Sequence, residues 1–270
     1  MSHRRRRPIV ALMLAGILAT AACGNDQGFE SAESLTESFF GDAFSLRSGG
    51  DFGIDRVSST DPAEGAPVEQ ALRVEFPAGS ASQEVSREDG APEGGAQLYL
   101  RLASGPTDAA RLRYSVYFPE GFDFVKGGKL PGLYGGDHTS GGETPDGTDG
   151  FSTRYMWRAE GAGEVYAYLP SSDEVGTSLG RGEWEFPTGR WFTLEQEVRL
   201  NTPGEDDGVI AVSLDGEEVF RDDEVVFRTS DDLQIEGLFF STFFGGGDPS
   251  WASPTDQYVE FGGFAVEPVS

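Results

Sequence analysis

Three blocks of sequence decide the fold: VKGGKLPGLYGG (125–136), GFSTRYMWRAE (150–160) and GEVYAYLP (163–170). In the second and third blocks, side chains of contrasting polarity alternate along the chain, and such alternation is typical of β-strands. The first block is rich in glycine, which permits close backbone approach and unusual φ angles. We therefore expect a flexible loop there, followed by two adjacent strands.

The two strands are predicted to form a β-hairpin, because only the short link EGAG separates them. A turn centred on Gly161 would place Arg154 opposite Tyr168 and Met156 opposite Tyr166, with Cβ atoms about 4.5–5.5 Å apart. One face of the hairpin would then carry an arginine and two tyrosines, a combination that is also common on solvated strands. The other face is predicted to meet the core through Phe151, Tyr155, Trp157, Val165, Ala167 and Leu169.

The rest of the chain predicts an all-β fold, an antiparallel β-sandwich, within a single domain at 39–270. Short apolar runs are separated by Gly, Pro, Asp and Ser, and no segment shows sustained helical periodicity. The motif LDGE (214–217) predicts a tight hairpin turn. The predicted strands are Ala71–Phe76, Gln97–Leu102, Arg111–Phe118, Phe151–Ala159, Glu164–Leu169, Trp191–Leu200, Val209–Leu214, Gln234–Phe244 and Gln257–Val266.

The N-terminus has the pattern of a secretory signal peptide, expected at 1–22. Four arginines precede a short apolar run, and small residues then lead to Cys23, the single cysteine of the chain. Small residues before one cysteine resemble a bacterial lipobox, in which the cysteine becomes lipidated, although Thr20 stands where leucine is usual. We expect a lipoprotein on the extracellular face of the cell membrane, with 23–38 as lipidated cysteine and polar tether; the alternative is ordinary cleavage and secretion.

The net charge of −26 argues against nucleic acid as a partner, because an acidic surface repels polyanions. The same repulsion would act on an acidic polysaccharide at long range, but salt screens it beyond about 10 Å and a local basic cleft can still bind one. Both lysines of the chain, Lys126 and Lys129, stand in the glycine-rich block. That block is either a solvated loop or a cradle for an anion, and the motif of a nucleotide-binding P-loop is absent from it.

Four stretches together resemble polysaccharide lyase family 14, a group that includes alginate lyases. They are ALRVEFPAGSAS (71–82), LRYSVYFPEGFDFVKGGKLPGLYGG (112–136), the hairpin at 152–170 and FFSTFFGGGDPSWASPTDQYVEFGGF (239–264). Each stretch is weak alone, but their order and spacing are specific and cover nearly the whole domain. The resemblance implies a β-jelly roll and cleavage of a uronic-acid polymer by β-elimination.

The family motif assigns functional residues to five positions: Lys129, Ser152, Arg154, Tyr166 and Tyr168. β-Elimination removes the proton at C5 of a uronate and breaks the C4–O bond. A fixed cation must neutralise the carboxylate, a role that suits the fork of Arg154. Tyr166 and Tyr168 are expected to share the acid and base work, with phenol pKa values lowered by the neighbouring cations. Lys129 either assists as a base or neutralises the carboxylate. No metal or other cofactor is expected.

Four further residues are candidates for substrate binding: Lys126, His138, Arg158 and Trp251, together with Ser152 from the family motif. Arg158 either lines the cleft or is a solvated strand end. Trp251 either stacks on a sugar ring or anchors its loop in the core.

Two other functions compete with the lyase. A non-catalytic carbohydrate-binding lipoprotein would use the same fold and bind without cleaving. A retaining glycoside hydrolase would need two carboxylates about 5–5.5 Å apart, and no strand carries a suitably spaced acidic pair. We expect a monomer and cleavage within the polymer chain, but the sequence leaves open the uronic acid, the choice between internal and terminal cleavage, and the oligomeric state.

Overall fold

The computed structural model describes residues 26–137, 140–142, 144–173 and 175–269. Strands dominate these residues, and the two α-helices found among them, α1 (Ala32–Leu35) and α2 (Gln83–Asp89), are short. The strands are β1 (Gln27–Gly28), β2 (Phe44–Phe52), β3 (Val57–Thr60), β4 (Ala71–Phe76), β5 (Ala96–Leu102), β6 (Ala109–Phe118), β7 (Gly127–Gly136), β8 (Gly150–Arg158), β9 (Gly163–Tyr168), β10 (Thr177–Leu179), β11 (Arg190–Arg199), β12 (Gly208–Leu214), β13 (Glu217–Val225), β14 (Gly237–Thr242) and β15 (Gln257–Pro268).

The strands form two antiparallel sheets that pack face to face. An eight-stranded sheet has the order β1-β3-β4-β15-β6-β11-β12-β13, and a seven-stranded sheet has the order β10-β9-β8-β7-β14-β5-β2. Rings from the two sheets meet between them: Phe118 of β6 lies 5.6 Å from Trp157 of β8, and Tyr114 lies 6.4 Å from Tyr155. The prediction of an all-β antiparallel sandwich of jelly-roll type is confirmed.

The alternation predicted for β8 and β9 places their side chains correctly. Phe151, Tyr155 and Trp157 belong to the core, as do Val165 and Ala167. The opposite face of the seven-stranded sheet points away from the eight-stranded sheet and carries the arginines of β8 and the tyrosines of β9, namely Arg154, Arg158, Tyr166 and Tyr168. The core therefore orients the polar face, because a one-residue slip would exchange the two sets of side chains.

The expectation of a flexible loop at 125–136 is wrong, because most of this block is the central strand β7. It pairs with β8 on one side and with β14 on the other. Its glycines allow close packing: a Cβ at Gly128 would lie 2.0 Å from the Trp157 ring, and one at Gly132 would lie 2.2 Å from the Thr153 carbonyl oxygen. The glycines of this block serve tight strand packing rather than flexibility.

The predicted register of the β8–β9 hairpin is also wrong, by two residues. Arg154 is opposite Tyr166, and Met156 is opposite Glu164. The turn is centred on Glu160 instead of Gly161, and its closing hydrogen bond runs from the Arg158 amide to the Ala162 carbonyl oxygen at 2.7 Å. Glu160 adopts a left-handed φ of 61°, an uncommon conformation for a residue other than glycine, so the sequence favoured the wrong centre.

The predicted tether is folded where the structure describes it. Gln27–Gly28 pairs with β3, and α1 buries Leu35 completely in the core. The domain therefore begins before Phe39. The apolar spacing of Ala32 and Leu35 fits one face of a helix, but it is hidden in a polar stretch. The predicted signal peptide and Cys23 lie outside the described residues.

The hairpin predicted at LDGE is confirmed, since Leu214 pairs with Glu217 between β12 and β13. The structure adds six strands to the nine predicted ones, namely β1, β2, β3, β7, β10 and β13. Across the described part of the chain, none of the helices is both long enough and apolar enough to cross a membrane.

Candidate active site

A groove of about 690 Å³ lies on the polar face of the seven-stranded sheet. Its floor comes from three adjacent strands, because β7, β8 and β9 each present alternate side chains to this face. Helix α2 and part of the segment 245–251, including Trp251, line it as well. The residues of the floor are Lys129, Arg154, Met156, Arg158, Tyr166 and Tyr168.

Lys129 is buried in the floor, with 8% of its surface exposed. Its Nζ lies 3.0 Å from the Met156 sulfur and 3.3 Å from the centre of the Tyr166 ring. Burial, together with the nearby guanidinium groups of Arg154 and Arg158, holds the pKa of Lys129 well below its ordinary value. This environment favours the neutral amine, which can accept a proton.

Arg154 is more deeply buried, with 2% of its surface exposed. Its Nη1 donates to Ser241 Oγ at 3.2 Å, and its guanidinium lies 4.3 Å from the centre of the Phe239 ring. Among the described residues, its Nε has no hydrogen-bond partner and no carboxylate pairs with its guanidinium. A buried cation without a counterion is costly to keep and is suited to receiving an anionic group of a ligand.

Tyr166 and Tyr168 lie side by side, with ring centres 5.8 Å apart and planes at 80°. Tyr168 is buried and Tyr166 is half-buried. Burial raises the pKa of the Tyr166 phenol, the neighbouring Tyr168 raises it further, and Arg158 opposes the effect. The expectation of a lowered pKa is therefore wrong for Tyr166, because desolvation outweighs the cation. This phenol keeps its proton and suits the role of an acid.

Arg158 lines the groove instead of forming a solvated strand end. Its Nε donates to Glu164 Oε1 at 2.9 Å, and Nη2 lies 2.5 Å from the same oxygen. Glu164 is fully buried and was missed in the sequence. It stands two residues before Tyr166 on β9, so the alternation that placed the tyrosines on the polar face would have placed Glu164 there too.

The other predicted binding residues have different positions. Trp251 is half-buried and lines the groove, with its ring 5.8 Å from the Arg158 guanidinium. Lys126 is exposed, donates to Ser250 and lies 5.9 Å from the Trp251 ring, outside the groove lining. Ser152 is fully buried opposite Tyr168 and does not line the groove, so direct contact with substrate is not supported. His138 lies outside the described residues.

The sequence also missed the residues that hold Arg154. Ser241 on β14 accepts from Arg154 and donates to Gln97 Oε1 at 3.1 Å. These residues are distant in sequence, and only the order β8-β7-β14-β5 brings them together. The described residues include no group of three or more His, Cys, Asp or Glu that could hold a metal ion.

The sequence and the fold are similar to those of known proteins. The family model for polysaccharide lyase 14 matches residues 65–264. The PL-14 alginate lyase from Aplysia kurodai is 32% identical, with 90% of this chain and 97% of that chain covered and a TM-score of 0.74. Alginate lyase vAL-1 from Chlorella virus has the same fold, with 22% identity, 85% and 94% coverage and a TM-score of 0.69.

A curated relative, Exolysin from Paramecium bursaria Chlorella virus 1, is 27% identical, and the match covers 57% of this chain. The chain spans only 29% of that relative's length. The family match extends over most of the described domain and includes β7, β8, β9 and the Trp251 segment. The chain therefore belongs to polysaccharide lyase family 14.

Proposed function

We propose that this protein is a polysaccharide lyase that cleaves a uronic-acid polymer, alginate or glucuronan in type, by β-elimination. The observation that carries the proposal is the buried guanidinium of Arg154, which has no carboxylate partner among the described residues and shares a groove with Lys129 and Tyr166. The alginate lyases among the similar structures support a uronate polymer as the substrate class.

In this proposal, Arg154 binds the carboxylate of the uronate that is cleaved. Removal of the C5 proton places negative charge on that carboxylate as an enolate-like species forms. A cation fixed in a buried site stabilises developing charge more strongly than one in water, because no solvent must reorganise. Ser241 and Phe239 hold the guanidinium in place before substrate arrives.

Lys129 is the proposed base and Tyr166 the proposed acid. The neutral Lys129 amine takes the C5 proton, and the electrons of the C5–H bond form the C4–C5 double bond as the C4–O bond breaks. The Tyr166 phenol gives its proton to the departing oxygen. The opposite pKa shifts of the two groups support this assignment of base and acid. The lowered pKa of Lys129 favours its unprotonated amine, and the raised pKa of Tyr166 favours its protonated phenol. Tyr168 helps to form the pocket beside Arg154.

The direct test measures ultraviolet absorbance from the new double bond on separate mannuronate-rich, guluronate-rich and glucuronate polymers. We expect absorbance to grow on at least one polymer and to fall to background in K129M. Binding of these polymers without any new double bond would instead support a carbohydrate-binding protein and would refute the lyase.

We also propose export and anchoring through a lipid on Cys23. The support is the order of arginines, apolar run and small residues before this cysteine. Labelling cells with a fatty-acid analogue should mark the wild-type protein and leave C23S unmarked; equal labelling of both would refute the anchor, and release of the wild type into the medium would indicate secretion.

A further inference from the structure

A second cation in the groove has a structural arrangement different from that of Arg154. Arg158 stands four residues further along β8 and points to the same face, about 13 Å away at 3.3 Å per residue. Its guanidinium lies between two rings, 5.6 Å from the centre of Tyr166 and 5.8 Å from that of Trp251. Both rings line the groove, so Arg158 occupies the part of the floor next to Trp251.

The ion pair with Glu164 uses only one edge of this guanidinium. Nε and Nη2 both contact Glu164 Oε1. No acceptor for Nη1 occurs among the residues described, and Nη1 is not among the buried atoms that lack a partner. The Nη1 edge is therefore accessible in the groove. Glu164 is fully buried and fixes the other edge, so the direction of the free edge is set before any ligand binds.

We propose that Arg158, held in place by Glu164, binds the carboxylate of a second uronate in the same polymer chain, on the Trp251 side of the residue bound by Arg154. The inference rests on the proposed function. Glu164 is then a positioning residue for Arg158. The site requires two charged sugars, because Arg154 and Arg158 each bind one carboxylate. Trp251 then covers the sugar that carries the second carboxylate.

The test removes substrate carboxylates chemically. Alginate with half of its carboxyl groups reduced at random to alcohols is compared with untreated alginate, or glucuronan in the same way if that is the polymer cleaved. The rate of the wild type should fall about fourfold, because two charged residues are needed, and that of R158M about twofold, because one is needed. On untreated polymer, R158M should lose about tenfold in kcat/KM, the loss of one charge-assisted contact.

The role of Glu164 is tested separately with the variant E164Q. E164Q leaves Arg158 without its anionic partner, so KM should rise while kcat changes little, and the dependence on substrate carboxylates should move toward that of R158M. The matched control is R181M. Arg181 is exposed, its Nε lies 3.7 Å from Glu164 Oε2, and it does not line the groove. R181M should show the same fall in rate on the reduced polymer as the wild type.

Equal losses of rate by wild type and R158M on the reduced polymer would overturn the inference. If R158M does not fold, R158K is used, because it keeps a positive charge near Glu164. On the half-reduced polymer its rate should fall by less than that of the wild type, which should fall about fourfold. A fall equal to that of the wild type would again overturn the inference. Should no polymer be cleaved, the proposed function fails separately. Binding is then measured instead of cleavage. If Arg158 binds a second carboxylate, reduction of the polymer should weaken binding to the wild type more than binding to R158M, and equal weakening would overturn the inference.

Discussion

Replacing Arg154 by methionine should remove most of the activity and make the folded protein more stable. Arg154 is 2% exposed and has no counterion among the described residues. Its loss removes the cation that we propose neutralises the substrate carboxylate. Loss of one preorganised electrostatic contact of this kind typically lowers kcat by about 10²–10³. The gain in stability follows from the burial of the charge.

The contacts of Arg154 set the size of the expected gain in stability. Burying an unpaired ion costs several kcal/mol even after relaxation. The hydrogen bond to Ser241 returns about 1.5–3 kcal/mol, and the contact with Phe239 returns about 0.5–2 kcal/mol. Methionine avoids the cost and keeps an unbranched apolar chain. We expect R154M to be about 1–2 kcal/mol more stable, which raises Tm by about 2–8 °C for a domain of this size.

The matched control is R228M, because Arg228 is similarly buried at 5% exposure but is fully paired. It donates to Asp108 Oδ1 at 2.8 Å and to the Leu233 carbonyl oxygen at 2.9 Å. R228M leaves the Leu233 carbonyl oxygen without its buried donor, whereas Asp108 is 60% exposed and stays solvated, so the fold should lose about 1–3 kcal/mol of stability. Thermal and urea denaturation give both values, and the double-bond assay gives the activity. A Tm of R154M at or below that of the wild type would refute the argument that the buried charge of Arg154 destabilises the fold.

Three further predictions concern the groove and β7. Between the lowered pKa of Lys129 and its ordinary value of 10.5, the unfolded chain binds a proton that the folded chain does not, so stability should rise with pH in that window. Urea midpoints should show this rise in the wild type and not in K129M, and identical curves would contradict it. Y166F should lower kcat by about 10²–10⁴ with a smaller effect on KM, because the proposed proton donor is lost; a kcat within a few-fold of the wild type would exclude that role. G132A should cost about 1–3 kcal/mol, because its Cβ meets the Thr153 carbonyl oxygen at 2.2 Å. G28A, whose Cβ has open space, should stay within about 0.5 kcal/mol of the wild type in the same urea titration.

The sequence by itself determined the fold class and the polar face of β8 and β9. Alternation is a local property, and burial of Tyr155 and Trp157 forces Arg154 and Arg158 to the other side. The family motif likewise indicated Lys129, although the local reading of its block as a loop was wrong. Glycine content alone does not distinguish a flexible loop from a strand packed too closely for side chains.

Only the tertiary structure decided the electrostatics of the site. The sequence showed a lysine and two tyrosines, but the burial of each sets its pKa, and burial depends on strands distant in the chain. Sheet order brings Ser241 within hydrogen-bond distance of Arg154, and Gln97 within hydrogen-bond distance of Ser241. The hairpin register places Glu164 opposite Met156, within reach of Arg158. Pairing across a sheet depends on turn geometry and on long-range contacts, so local periodicity could not decide which of the two arginines has a counterion.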